Sequence, residues 1–319
     1  MHEFELINNY FLKIAKKNKS ALNLNDDVFF DKKKKLVASI DTYNESIHFP
    51  NFNRPDLIIK KVIRSSISDI ISKGVDPKFI LISFSGSKKH FSKNNINLIL
   101  KSIKQEQKKY KFSLIGGDTT SSSKTSFTVC TFAYYNKIIK RINCFNNDDI
   151  YITGDIGDSS VGLSILKNKI NVSRKIKNYF VDKYFKPKLA FGFHSELFKF
   201  ANSSMDISDG LLIDLKKIIG NKKLGFILDF NKLPKSLYFN KLLKKKKISA
   251  KNHLFKGDDY QILFTAKRRY RKTILKYSNK WNQKITMVGT IIKSKANYMI
   301  FNNKIKKIKQ YQGYIHNFK

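Results

Sequence analysis

The chain has 319 residues, enough for about two domains with sizeable cores. Lysine and arginine number 63 against 24 acids, a net charge of +39, while 41% hydrophobic and 13% aromatic content excludes a disordered basic tail. No apolar run nears the roughly 18 residues of a membrane-spanning helix, the acidic start is unlike a signal peptide, and Cys130 and Cys144 form neither a disulfide framework nor a metal motif, so a cytoplasmic, membrane-free protein is expected.

In chain order, residues 3–17 carry the helical spacing of Phe4, Ile7, Phe11 and Ile14. A strand is predicted at 36–40, ending on Asp41. Pro55 near its start and Gly74 just past its end delimit a helix over 55–72. A strand at 78–84 and a helix at 94–109 follow. Residues 112–115 read as a buried strand that breaks into Gly116-Gly117-Asp118-Thr119-Thr120, and 126–135 as a long β-branched and aromatic strand. The polar stretch 143–149 divides an N-terminal domain, 1–145, from a C-terminal domain, 146–319. The second half opens with a strand at 150–153 and the turn Gly154-Asp155-Ile156-Gly157-Asp158. Helices at 159–166, 189–201 and 211–219 and strands at 225–230, 260–265, 284–291 and 298–301 complete it. Strands and helices interleave in both halves, which predicts two layered α/β (α+β) domains.

The lysines lie along the whole chain, in runs such as 32–35 and 244–247, without aromatic interleaving or a helix-turn-helix pattern. They read as solvated surface rather than as a nucleic-acid face, although a basic nucleic-acid-binding protein stays open as an alternative. Their field would still attract phosphorylated small molecules.

The acids are more informative, because only five of the 24 are Glu. Glu is the better helix-surface residue, whereas Asp favours caps, turns and ligand shells. Asp26-Asp27, Asp41, Asp69, Asp118 and the pair Asp206/Asp209 recur at strand or helix ends beside small or hydroxyl residues. Singly each has a plain role, an Asx turn at Asp26-Asp27 or a helix cap at Ser208-Asp209-Gly210. Together they repel one another unless cations intervene, and hard oxygens without a His or Cys cluster suit Mg²⁺, a partner of nucleotide phosphates. There is no P-loop, dinucleotide fingerprint or nucleophile elbow, so an ATP user here must grip phosphates chiefly through metals.

Taken in order, several motifs resemble one family. They are Glu3-Phe4-Glu5-Leu6-Ile7, Asp26-Asp27, Ser39-Ile40-Asp41 with His48-Phe49, Ser68-Asp69-Ile70, Gly74-Val75-Asp76-Pro77, Gly116-Gly117-Asp118-Thr119-Thr120, Asp206-Ile207-Ser208-Asp209-Gly210 and Gly257-Asp258-Asp259-Tyr260. They resemble the thiamine-monophosphate kinases, within the superfamily of aminoimidazole ribonucleotide synthetase and selenophosphate synthetase. The resemblance implies a two-domain aminoimidazole ribonucleotide synthetase-like fold and a homodimer formed through the N-terminal domain. It implies ATP- and Mg²⁺-dependent phosphorylation of thiamine monophosphate. Asp27, Ser39, Asp41, Asp69, Asp118, Asp206 and Asp209 would form the metal shell, with Asp41, Asp118 and Asp209 central to catalysis. Gly117, Asp118, Arg141 and Ser208 would contact ATP, and His48, Asp258 and Tyr314 the thiamine substrate. The chain departs from the family pattern where Ile40 replaces Thr or Ser, Asp258 replaces Glu, Gln261 replaces a second Glu, Asn44-Glu45-Ser46-Ile47 replaces a Gly-containing segment, and Ser, Ile and Lys replace an Ala-rich helix around Asp69. Another ATP-using member of the superfamily is the nearest alternative.

Overall fold

A computed structural model describes residues 2–316 and 318. Its strands form two sheets. In the first, β1 (Phe29–Asp31), β2 (Leu36–Asn44), β3 (Phe79–Gly86), β4 (Ser113–Ser121) and β5 (Ser126–Tyr134) lie in the order β1-β2-β5-β3-β4. The second holds β6 (Asp149–Thr153), β7 (Ala201–Asp206), β8 (Gly225–Asp229), β9 (Ile262–Ala266), β10 (Ile285–Ile292), β11 (Tyr298–Phe301) and β12 (Lys304–Lys307), ordered β12-β11-β8-β10-β6-β9-β7.

The helix Pro55–Ser72 starts on a proline, whose missing N–H costs nothing there, and buries Ile58, Ile59, Val62, Ile63, Ile67, Ile70 and Ile71. It lies against β2 and β5, and also meets β7 and the helix Arg174–Phe185 of the second half. β3 and β4 are parallel, so the chain must cross over between them, and the helix Lys93–Tyr110 is that crossover. One hydrophobic core runs through both halves, joining Ile63, Tyr110 and Phe127 to Tyr151, Tyr184 and Phe264.

Several expectations need correction. Residues 112–115 are not a buried strand that ends in a turn: β4 continues through both glycines to Ser121 and is exposed at every position. It pairs with β3 alone, so it forms an edge of the sheet. Gly117 belongs inside the strand because a Cβ there would lie 1.8 Å from the Ile82 carbonyl oxygen. β2 runs past Asp41 to Asn44, carried by nine consecutive pairings with β5. The helix expected at 189–201 is only the short 3₁₀ segment Phe193–Lys199, since Pro187 and Gly192 (φ 91°) interrupt the region. The helices Arg174–Phe185, Leu237–Lys244, Ala250–Leu254 and Arg271–Lys280, and strand β12, were not anticipated.

Candidate active site

The aspartates collect around the helix Pro55–Ser72, which meets β2 of the first sheet and β7 of the second. Asp41 sits on β2 and Asp69 on the helix Pro55–Ser72; Asp206 ends β7, and Asp209 lies in the turn before the helix Leu211–Ile219. Asp26 and Asp27 precede β1. Three cations hold the periphery. The Lys73 ammonium is 2.8 Å from Asp26 and 2.5 Å from Asp27, and it also donates to the Ser204 carbonyl at 2.9 Å. The Arg141 guanidinium meets Asp27 at 2.8 Å, while its backbone N–H donates to Asp26 at 2.9 Å. Lys217 pairs with Asp209 at 2.5 Å and with the buried Asp214 at 3.5 Å.

The centre has no such cover. Burial, reinforced by the neighbouring Asp206, pushes the Asp41 carboxyl up to about 7. Burial and the Asp27 charge raise Asp206 to about 6, and Asp69 is raised by burial and by Asp41. One oxygen of Asp41 and one of Asp206 are buried with no hydrogen-bond partner among the described residues, as is the Arg141 Nε. Unsatisfied buried carboxylate oxygens are costly and call for a ligand. No three such side chains among the described residues stand close enough together to grip a metal as they are. The partnerless oxygens and the all-oxygen donor set nonetheless fit a hard divalent cation.

Beside this cluster lies a second group. The Lys61 ammonium bonds both oxygens of Asp258 at 2.6 Å and sits 4.0 Å from the centre of the Tyr184 ring. Gly257, at φ 78°, lets this loop lie on the 208–210 turn, where a Cβ would meet the Ser208 carbonyl at 2.2 Å. The Asp258 N–H donates to that carbonyl at 2.7 Å. His48 accepts from the Asn44 N–H through Nδ1 at 2.9 Å. Burial, followed by the nearby His316, lowers the pKa of His48 and keeps it neutral. The His48 and His316 rings are 5.6 Å apart, and the Tyr314 hydroxyl lies 3.3 Å from His316 Nδ1. Tyr314 in turn donates its N–H to the Asp209 carbonyl at 2.8 Å, so the C-terminal segment folds back over the site.

The structure thus brings together Asp27, Asp41, Asp69, Asp206, Asp209 and Arg141, with Ser208, His48, Asp258 and Tyr314 alongside. Ser39 is buried next to Asp41, 3.5 Å from the Ser66 carbonyl. Gly117 and Asp118 stand apart. Across the sheet Asp41 pairs with Val129, Val129 with Ile82 and Ile82 with Gly117. Those three strand spacings amount to about 14 Å. Asp118 accepts the N–H of its neighbour Thr119 and faces solvent. Ile40 points to the open face of the sheet and is 68% exposed.

Sequence reasoning missed Lys61, Lys73, Lys217 and Asp214. Lys61, Ser65, Asp69 and Lys73 recur every four residues along one helix and its C-cap, and that polar spacing was the available signal.

Residues 23–134 match the family described as AIR synthase related protein, N-terminal domain. Among curated relatives, thiamine-monophosphate kinase of Buchnera aphidicola subsp. Schizaphis graminum is 31% identical over 99% of this chain and 98% of its own. That of Buchnera aphidicola subsp. Acyrthosiphon pisum is 30% identical over 98% of each. The same fold occurs in the solved structure of AaThiL complexed with AMPPCP and TMP, at a TM-score of 0.85 and 24% identity over 99% of both chains. Relatedness over its full length therefore assigns the chain to the thiamine-monophosphate kinase family.

Proposed function

We infer that this protein transfers the terminal phosphoryl group of ATP to thiamine monophosphate, forming thiamine diphosphate and ADP. The observation that carries the reading is relatedness to thiamine-monophosphate kinases along the entire chain, on a fold shared with the relative complexed with AMPPCP and TMP. The clustered carboxylates and their two buried, partnerless oxygens support it.

Asp41, Asp69, Asp206 and Asp209 would hold Mg²⁺, with Ser39 beside them; Asp27 and Asp118 are the family's remaining candidates. When bound, Mg²⁺ supplies charge neutralisation for the phosphates of an in-line transfer. The chain's own part is positioning. Arg141 spends one arm of its guanidinium on Asp27 and keeps Nε for a phosphate oxygen. Gly117 and Ser208 are assigned to the nucleotide. Neutral His48, Tyr314 and the Lys61–Asp258 pair form the wall proposed for thiamine monophosphate. The acceptor is a phosphate oxygen that is already ionised, so the transfer needs no strong general base.

A homodimer is part of this reading. The face of the first sheet that carries Ile40 is open, and β4 offers unpaired backbone groups to a second copy. Pairing there would place Gly117 and Asp118 at the contact. The free thiols Cys130 and Cys144 support a reducing, cytoplasmic setting, and among the described residues no helix is long and apolar enough to cross a membrane. The test is thiamine diphosphate formation by the purified protein from ATP, Mg²⁺ and thiamine monophosphate; no product would overturn the assignment.

A further inference from the structure

We propose that Lys73 is a resident cation of the carboxylate cluster, filling the place between Asp26 and Asp27 that a divalent ion would otherwise take. Metal binding is then confined to the side of Asp41, Asp69 and Asp206, and Asp27 is not a ligand. This inference rests on the cluster being the metal site of the kinase reading above.

Lys73 follows the last turn of the helix Pro55–Ser72, one turn beyond Asp69, and is wholly buried. An ammonium has three N–H donors, and this one faces three acceptors: Asp26 at 2.8 Å, Asp27 at 2.5 Å and the Ser204 carbonyl at 2.9 Å. The two carboxylates are fully used in return. Asp26 Oδ1 takes Lys73 and the Asp27 N–H, and its Oδ2 takes the Arg141 N–H. Asp27 Oδ2 takes Lys73 and its Oδ1 takes the Arg141 guanidinium. Two carboxylates therefore meet two cations, and every oxygen has a donor. The contrast is internal to the site, because Asp41 Oδ2 and Asp206 Oδ2 have no partner among the described residues. A divalent ion arriving at Asp27 would have to expel a buried ammonium from all three of its acceptors. One arriving at Asp41 and Asp206 would find open oxygens.

The experiment counts bound Mn²⁺ on the nucleotide-free protein, from the loss of the free-ion electron paramagnetic resonance signal. Circular dichroism checks that each variant is folded. Lys73→Met removes the charge at similar length, and Lys73→Gln removes it while keeping a donor for Asp27, which guards against a misfolded first variant. Both should bind at least one more Mn²⁺ per chain than wild type and gain a Mn²⁺-dependent rise in Tm. Asp27→Asn should leave the wild-type number unchanged. Equal numbers in wild type and both Lys73 variants, or an ion lost in Asp27→Asn, would overturn the role of Lys73 and leave the metal site standing. If neither wild type nor variants bind Mn²⁺, the metal-site reading falls and this inference with it.

Discussion

At the scale of single residues, the site is a set of charges of which some are answered and some are not. Asp41 is disfavoured as an anion by burial and by Asp206, and Asp206 by burial and by Asp27, so an amide at either position relieves strain in the metal-free protein while removing the negative charge a cation needs. Asp41→Asn and Asp206→Asn should each lower thiamine diphosphate formation by about a hundredfold or more, with Tm unchanged or raised. Near-normal turnover in either variant would remove that residue from the site. Asp258 has a different duty. It neutralises Lys61, whose side chain is 2% exposed, so Asp258→Ala should cost about 3 kcal/mol by denaturant unfolding, and adding Lys61→Met should restore much of it. In the folded fraction the KM for thiamine monophosphate should rise well above any change for ATP. The aspartates were legible in the sequence because this chain carries few acids and sets them beside small or hydroxyl residues, although Asp41 and Asp69 lie inside their elements and not at the ends. The lysines were not, since one among 63 bases signals nothing until a helix places it four residues from Asp69.

At the scale of elements, β4 shows why a glycine-rich segment misleads. Two adjacent glycines suggest a turn, but here they let one strand press against another, and the tight approach to Ile82 decides the matter. The outcome is an exposed edge bearing Ile115, 52% accessible, beside Asp118. Ile115→Lys should yield a monomer by light scattering and lose most activity; a monomeric variant with full activity would show that the edge plays no part in the reaction. The Phe193–Lys199 segment is fastened differently. Burial would raise the Glu196 carboxyl, yet hydrogen bonds from Lys199, Trp281 and Lys280 hold it down at about 2. Its folded pKa is depressed, so its contribution is present above the unfolded value near 4.3 and fades as pH falls from about 5 towards 2. Glu196→Gln should therefore lower Tm clearly at pH 7 and much less at pH 3. A gap independent of pH would rule out the charge as the cause. The helices around it escaped sequence analysis because lysines and asparagines blur their amphipathic spacing, whereas Pro55 and Gly74 punctuate the central helix on both sides.

At the scale of the whole molecule, the excess of positive charge divides into a few buried ammonium groups with defined partners and many solvated ones. The run at 32–35 is an exposed turn whose backbone N–H groups at Lys33 and Lys34 donate to Asp31. Replacing all four lysines with glutamine should leave kcat and both KM values within about twofold at physiological salt, where such charges are screened. A tenfold loss would mean that the surface field feeds the site. The alternation of strands and helices and the polar stretch before β6 made the two-sheet plan readable. The sharing of one core between the halves was not, because periodicity reports which face is apolar and not what covers it. That sharing has a consequence for how the molecule comes apart. The helix Pro55–Ser72 and its C-cap are tied to the second half at both ends, by Lys61 to Asp258 and by Lys73 to the Ser204 carbonyl. Melting of the second half would strand the buried Lys61 ammonium, and melting of the first would leave Asp258 and the Ser204 carbonyl without their donors, so the amides of β2 and β9 should exchange with deuterium through one common opening event, and residues 1–145 expressed alone should lack a cooperative transition.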